Sequence, residues 1–374
     1  MKSDKWKQRI TIYSFFICLV GLTAAFVILP KQSVSKAERR RLAAKPELTF
    51  EKIIKEDFMD DLETYLLDHF PFRDGLRKIK AYFAYDVLQQ KENNDIYVTE
   101  GHAAKLEYPL NESETIRAAE KMKSVKAKYF PQAQVYYAVI PDKNFFLAQK
   151  NNFPSLDYAK MLEILHKNLA TDSFVYIDIM EGLTIDDYYK TDTHWRQERI
   201  LETAKRLVDG LGVSDAAAFD LAAYQIQEIP DFYGVYYGQS ALPMVADTIC
   251  YLTNEVIDSA QVWNMETGKT NPVYELDKLE SEKSMDKYDI FLGGAVPLQI
   301  IDSPKAKTDK RLIIFRDSYT SSLAPLLLET YKEVTLVDLR YISSELIGEY
   351  VDFEEADILF LYNTVVLNHS SMLK

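Results

Sequence analysis

Two hydrophobic patterns divide the chain. Residues 10–29, ITIYSFFICLVGLTAAFVIL, form one apolar run without a charge. Beyond residue 50 the apolar positions recur at helical spacing or gather in short runs. Ile53, Ile54, Phe58, Leu62, Tyr65 and Leu66 fall on one helical face and predict a helix over 50–67. Pro71, in the segment HFPFRD, cannot continue a helix at low cost. A second helix is expected over 74–90, so two helices would precede the main body as a stalk or lid.

After residue 93 short apolar runs alternate with helical stretches. Residues 96–98 and 104–108 read as a hairpin around Glu100 and Gly101. A helix is expected over 113–129, with Ser113 as its N-cap. Strands are expected at 135–141 and 174–179, with helices at 158–169 and 197–211. Gly212 follows the last of these as a C-terminal glycine. The stretch from about 220 to 310 looks irregular and tyrosine-rich, with short β-like runs such as 247–252. RLIIF (311–315) reads as a deeply buried strand, followed by a helix at 318–330, a strand at 333–337, a helix at 343–350 and a strand at 357–362. Near-continuous apolar strands alternating with helices predict an α/β domain, its sheet parallel and covered by helices on both faces.

Composition places this domain. The 374 residues carry a net charge of −13. Residues 1–30 hold Lys2, Lys5, Lys7 and Arg9 against Asp4, a net of +3, which leaves −16 on the remainder. So acidic a body excludes nucleic acid as a partner, because phosphate binding needs a basic face. The uncharged 20-residue run spans roughly 30 Å as a helix, the thickness of a hydrocarbon core. Cations precede it, so the N-terminus is expected in the cytoplasm and the body outside. A cleaved signal peptide is the alternative, but no A-x-A site follows and the run is long for an h-region. The expected organisation is a head and single-pass anchor (1–30), a juxtamembrane stalk (31–92) and a main domain (93–374) with an irregular insertion at about 220–310. Of the two cysteines, Cys18 lies in the apolar run, so Cys250 has no disulfide partner in the body. An extracytoplasmic protein without disulfides fits a bacterial surface.

Two segments carry candidate chemistry. At RLIIF-RDSY a strand ends and a helix is expected, with Ser318 at the junction. A serine there can project its hydroxyl beyond the sheet edge and turn its own amide toward a developing oxyanion. It can equally be a helix cap. In TDTHW, Asp192 and His194 stand two apart and point the same way in extended backbone. The aspartate can then fix the imidazole tautomer, as the acid of a serine triad does; a purely structural hydrogen bond is the other reading. One histidine and one aspartate are too few ligands for zinc. No metal and no cofactor are expected.

Taken together, SKAERRRLAAKPELT, HFPFRD, VIPDKN, TDTHW, YDIFLGG, FRDSY and VDLRY resemble the DHHW family of bacterial surface proteins. They also resemble the SGNH-hydrolase-like domains of alginate O-acetylation proteins. The resemblance runs from about residue 35 to 368. It implies an SGNH-like, flavodoxin-like three-layer domain with a mostly parallel central sheet and circularly permuted motif order. It also implies Ser318 as nucleophile, His194 as base and Asp192 as orienting acid. Gly293, Gly294, Arg316, Tyr319 and Arg340 would then serve the oxyanion or the substrate. Thr193 stands where the DHHW motif has its second histidine, and Arg316 where the SGNH serine block has glycine. No asparagine is evident for the oxyanion hole.

The function this implies is an extracytoplasmic O-acetyltransferase or acetylesterase acting on a surface polysaccharide. A membrane-bound O-acyltransferase is the expected partner, since acetyl-CoA is absent outside the cell. The acidic body repels an anionic polymer, so the glycan is expected to be neutral or to meet a basic cleft at Arg316 and Arg340. The alternative is a non-catalytic glycan-binding or scaffold protein, for which the 25 tyrosines would supply faces for sugar rings.

Overall fold

The computed structural model describes every residue except 1, 36, 50–56, 171–172, 214–216, 218 and 280–285. The chain forms two compact units, residues 1–93 with 238–243, and 94–237 with 244–374.

The first unit begins with a helix, Lys2–Ile28, whose segment Lys5–Ile28 is long and apolar enough to cross a membrane. Strands β1 (Val34–Ser35) and β2 (Arg40–Arg41) pair antiparallel. Helix Asp57–Asp68 follows; the expected start at 50–56 lies outside the described residues. Helix Arg73–Tyr82 runs on into a π-helical turn, Phe83–Val87, so the second expected helix is present with a widened last turn. Pro71 separates the two, and Phe72 reverses the chain at φ 59°. Asp68 ties the unit together. Its carboxylate accepts from both terminal nitrogens of Arg40, 2.8 Å at Nη1, and from the Ala43 amide at 2.8 Å. The Arg40 hydrogen bond holds Asp68 down at about 2.

The sign of the resulting pH dependence follows from that direction. A carboxylate depressed below its unfolded value stabilises the fold above about pH 4 and loses that contribution as the pH falls toward 2. Asp68→Asn is therefore expected to lower stability by about 2 kcal/mol at neutral pH. It should also flatten the acid limb of the unfolding free energy, measured by urea titration between pH 2 and 5. Parallel acid limbs would refute the assignment.

The second unit holds β3 (Ile96–Thr99), β4 (His102–Lys105), β5 (Val135–Ile140), β6 (Phe174–Tyr176), β7 (Gln225–Phe232), β8 (Asp247–Thr253), β9 (Gln261–Asn264), β10 (Lys269–Pro272), β11 (Leu298–Asp302), β12 (Arg311–Arg316), β13 (Glu333–Val337) and β14 (Ala356–Asn363). Eight of them build one sheet in the order β10-β9-β11-β13-β12-β14-β5-β6. The run from β13 to β6 is parallel. Strands β11, β9 and β10 extend it antiparallel. Thus the stretch at 220–310, irregular by sequence, supplies the antiparallel edge and the β7–β8 hairpin.

Side-chain alternation explains the apolar runs. Leu312 and Ile314 of β12, with Leu359 and Leu361 of β14, pack on one face against Ala204 and Leu207 of helix Leu201–Gly210. Ile313, Phe315, Ile358 and Phe360 pack on the other against helices Glu112–Tyr129 and Tyr158–Leu169. Both faces being covered, the inner strands need no polar positions. The three-layer α/β fold expected from the sequence is the fold present.

Local differences have local causes. Helix Glu112–Tyr129 is capped by Asn111, which accepts from the Glu114 amide, and Ser113 instead bonds the Asn111 side chain. After Ser318 the helix is only Thr320–Leu323, followed by a 3-10 turn, Ala324–Leu327; Pro325 cannot donate to an α-helical ladder. The helix expected at 343–350 is reduced to the 3-10 turn Ile347–Glu349.

Candidate active site

Strands β12, β14 and β5 are parallel neighbours, so the segments leaving their carboxyl ends emerge at one edge of the sheet, where α/β folds bind ligands. The first carries Asp317 and Ser318, the second begins at Asn363, the third carries Asp142 and Lys143. The Asp317 carboxylate, fully buried, accepts from the Tyr319 amide at 3.0 Å and the Asn363 amide at 2.6 Å. It thereby fixes the turn bearing Ser318 to the end of the adjacent strand. Burial raises Asp317, and Arg340 opposes this.

The TDTHW loop meets this edge. His194 Nε2 lies 2.8 Å from Ser318 Oγ, and its Nδ1 lies 2.6 Å from Asp192 Oδ1. With Asp192 accepting from Nδ1–H, Nε2 carries the lone pair and accepts from the serine hydroxyl. Asp192 also accepts from the His194 amide at 3.0 Å and, through Oδ2, from the Val235 amide at 2.8 Å. The imidazole face stacks on Tyr288, centroids 3.9 Å apart and planes 7° from parallel, while Tyr288 Oη donates to Ser322 Oγ. The ring is therefore held at both nitrogens and on one face. Asp192 is buried and His194 nearly so, whereas Ser318 is partly exposed, so a ligand would approach from the serine side.

The loop has its own scaffold. Asp247 accepts from the amides of Lys190 (2.8 Å) and Thr191 (2.7 Å) and from the Thr191 hydroxyl (2.5 Å). Tyr319 Oη donates to the Thr193 carbonyl at 2.7 Å, and Tyr236 Oη to the Thr193 hydroxyl at 3.0 Å. Trp195 Nε1 reaches the Tyr319 carbonyl at 3.0 Å. Lys143 Nζ is enclosed by the carbonyls of Tyr189 (2.7 Å), Lys190 (3.1 Å) and Asp192 (3.0 Å). Three acceptors need three N–H donors, which only the ammonium supplies. Burial pushes that ammonium down to about 7, against the attraction of Asp192 and Asp247.

Gly234 marks the closest approach. A Cβ there would stand 2.3 Å from the Asp192 Cα. Because the obstacle is backbone, Gly234→Ala is expected to push Asp192 from the imidazole. The expected cost is about 2–3 kcal/mol of stability, measured by thermal melts. A variant as stable as the parent would show that the loop gives way freely.

The remaining residues singled out from the sequence divide. Tyr319 joins the site as a support of Thr193. Arg316 is fully buried and donates to Ser321 Oγ at 2.9 Å and Gln299 Oε1 at 3.0 Å, its Nε lacking a partner among the described residues. Arg340 is bidentate on the buried Asp338, 2.9 Å at Nε and 2.6 Å at Nη2. One cation is enclosed and the other paired, so together they form no open basic cleft for a polyanion. Gly293 and Gly294 make a turn at φ 75° and 93°, and Gly294 donates to the Phe291 carbonyl. Among the described residues no hydrogen bond joins them to Ser318. The Ser318 amide likewise meets no protein acceptor among the described residues. The short helix behind it adds little dipole, since four residues align few peptide units.

Sequence reasoning gave no role to Lys143, Tyr288 and Asp317, although they lie in the quoted stretches VIPDKN, YDIFLGG and FRDSY, and it passed over Gly234 and Asn363. Two carry a sequence signal: a lysine and an aspartate each flank the end of an apolar strand, where an unpaired charge is costly.

The sequence matches no known family model and no curated protein. The fold is similar to that of a DHHW family protein from Eubacterium siraeum, with TM-score 0.59 and 18% identity over 75% of this chain and 94% of that one. It is also similar to Bacillus cereus PatB1, TM-score 0.57 and 18% identity over 73% of this chain and 96% of that one. PatB1 with a sulfonyl adduct gives TM-score 0.57 and 17% identity over 75% and 96%. At these identities the likeness is one of fold, and it agrees with the DHHW resemblance read from the motifs.

Proposed function

We propose that this protein is an extracytoplasmic acetyl-handling enzyme of a surface polysaccharide, held to the membrane by residues 10–29 with its N-terminus in the cytoplasm. The observation that carries the reading is the continuous chain Asp192–His194–Ser318, with contacts of 2.6 and 2.8 Å. In the proposed reaction His194 Nε2 takes the Ser318 hydroxyl proton as Oγ attacks the acetyl carbonyl carbon. In this reading the Ser318 amide receives the oxyanion. Collapse expels the donor alcohol or thiol, which takes the proton from the imidazolium and leaves acetyl-Ser318. An acceptor hydroxyl then gives its proton to His194 and attacks the acetyl carbon, and Ser318 Oγ leaves with that proton. A glycan acceptor makes this a transfer; water makes it hydrolysis. Asp192 stays ionised throughout and stabilises the imidazolium.

The donor would come from a membrane-bound O-acyltransferase that brings acetyl groups across the bilayer. The sulfonyl adduct reported for PatB1 names a direct probe. Incubation of the full chain with a sulfonyl fluoride, followed by peptide mass spectrometry, is expected to place the adduct on Ser318 and to give none with His194→Ala. An unmodified Ser318 would sink the nucleophile. It would favour the non-catalytic glycan-binding reading on the same fold.

A further inference from the structure

The first unit exposes an apolar stripe that neither its own packing nor the proposed chemistry uses. Along the helix from Arg73 to Val87, Leu76, Ile79, Phe83 and Val87 are all exposed, Ile79 by 65%, and Phe72 just before it by 70%. Spacings of three and four residues put them on one side of the helix. The opposite side is the packed one, where Ala81 and Ala84 are buried. An apolar face of this size in water is costly and marks a site of contact.

What covers it is indicated by where the helix starts. Phe26, in the last turns of the apolar helix Lys2–Ile28, meets the ring of Tyr65 edge-on with centroids 6.1 Å apart, and Tyr65 meets His69 at 4.5 Å. Leu29, Pro30 and Lys31 line one cavity together with Phe70, Phe72 and Arg73. The stripe therefore begins within side-chain reach of the point where the anchor leaves the hydrocarbon. That is the headgroup level, where aromatic and cationic side chains collect. Of the cations on this helix, Arg73 and Arg77 pair with Glu38 and Lys80 donates to Asn93, while Lys78 is exposed beside the stripe, a sign that suits anionic lipid.

We propose that residues 72–87 form an interfacial helix whose Phe72, Leu76, Ile79, Phe83 and Val87 dip into the outer leaflet of a phospholipid bilayer. The inference rests on the anchor reading and adds a second, in-plane attachment to it. A single span leaves the chain beyond it free to swivel. A helix lying on the surface beside the span fixes the first unit in both height and rotation. Burying an apolar face at the acyl boundary while cations remain among the headgroups is the balance that holds such helices in place.

The test uses the full chain reconstituted in vesicles of phosphatidylcholine and phosphatidylglycerol, in a Cys18→Ser background, Cys250 being buried. A bimane is attached at Ile79→Cys, Phe83→Cys or, as the control, Asp74→Cys. Lipid carrying a nitroxide near the headgroup is expected to quench the labels at 79 and 83 at least threefold more than the label at 74, with iodide showing the reverse order. Equal quenching at the three sites would overturn the proposal. So would labels at 79 and 83 shielded from both quenchers, since protein then covers the stripe. An alkaline wash of the same vesicles reports the anchor separately. Release of the chain would refute the span, while the quenching order, measured before the wash, still decides the stripe.

Discussion

Ser318→Ala is expected to lower kcat/KM for an acetyl ester by roughly four orders of magnitude, or about 5 kcal/mol of transition-state stabilisation. The change removes one oxygen from a partly exposed position, so stability should move by less than about 0.5 kcal/mol. That contrast is the diagnostic feature. His194→Ala should cost a similar factor in rate, and the double variant little more, because nucleophile and base act as one unit. Asp192→Asn should cost less than either. It leaves the three donors around that side chain facing one oxygen and one NH2 group, and so disturbs the tautomer. Release of acetate from p-nitrophenyl acetate, with melts run in parallel, measures all four. Equal rates for the parent and Ser318→Ala would remove the serine from the chemistry, whatever the geometry around it.

Lys143→Met is expected to be the most damaging substitution for the fold near the site. The methionine fills much the same volume but leaves the carbonyls of Tyr189, Lys190 and Asp192 buried without their donor. Each unsatisfied group costs on the order of 1 kcal/mol or more, so about 3 kcal/mol of stability should be lost at pH 7. Turnover should fall as well, because the Asp192 backbone is one of the three tethered groups. The lysine also carries a pH signature. Unfolded, it stays protonated to about pH 10.5; folded, burial brings it to about 7. Between those values the unfolded chain binds the extra proton, and the contribution of this group to stability rises with pH by up to about 1.4 kcal/mol per unit. The difference in unfolding free energy between parent and Lys143→Met, taken by urea titration from pH 6 to 10, should therefore grow with pH. A difference independent of pH would mean that the buried group keeps its ordinary proton affinity.

How far the sequence reached can be read from single elements. Strand β13 and helix Tyr158–Leu169 occupy the residues their patterns predicted, because each must bury a continuous face. The long helix after Ser318 did not form because Pro325 interrupts its ladder. In 343–350 Ile347 is buried while Leu346 and Tyr350 are exposed, so no continuous apolar face holds a helix there. The antiparallel strands β9 to β11 were illegible. They are short and partly polar, and they pair through main-chain groups that carry no residue code. The partners of Arg316 and Arg340 were hidden for a related reason. Gln299 lies on another strand, and Asp338 follows the neighbouring strand β13, so both cations looked available to a substrate.

The sequence by itself determined the apolar N-terminal run, the acidic body, the α/β class and the nearness of Asp192 to His194, since each depends on composition or on neighbours in the chain. Only the tertiary structure decided that Ser318, 124 residues beyond His194, stands against that imidazole. It also decided that Lys143 clamps the loop, that Arg316 is enclosed and that Arg340 is paired with Asp338. These contacts arise where parallel strands end at a common edge and separate segments are packed together. Their energetics reside in distances between residues remote in the chain, which no local pattern records.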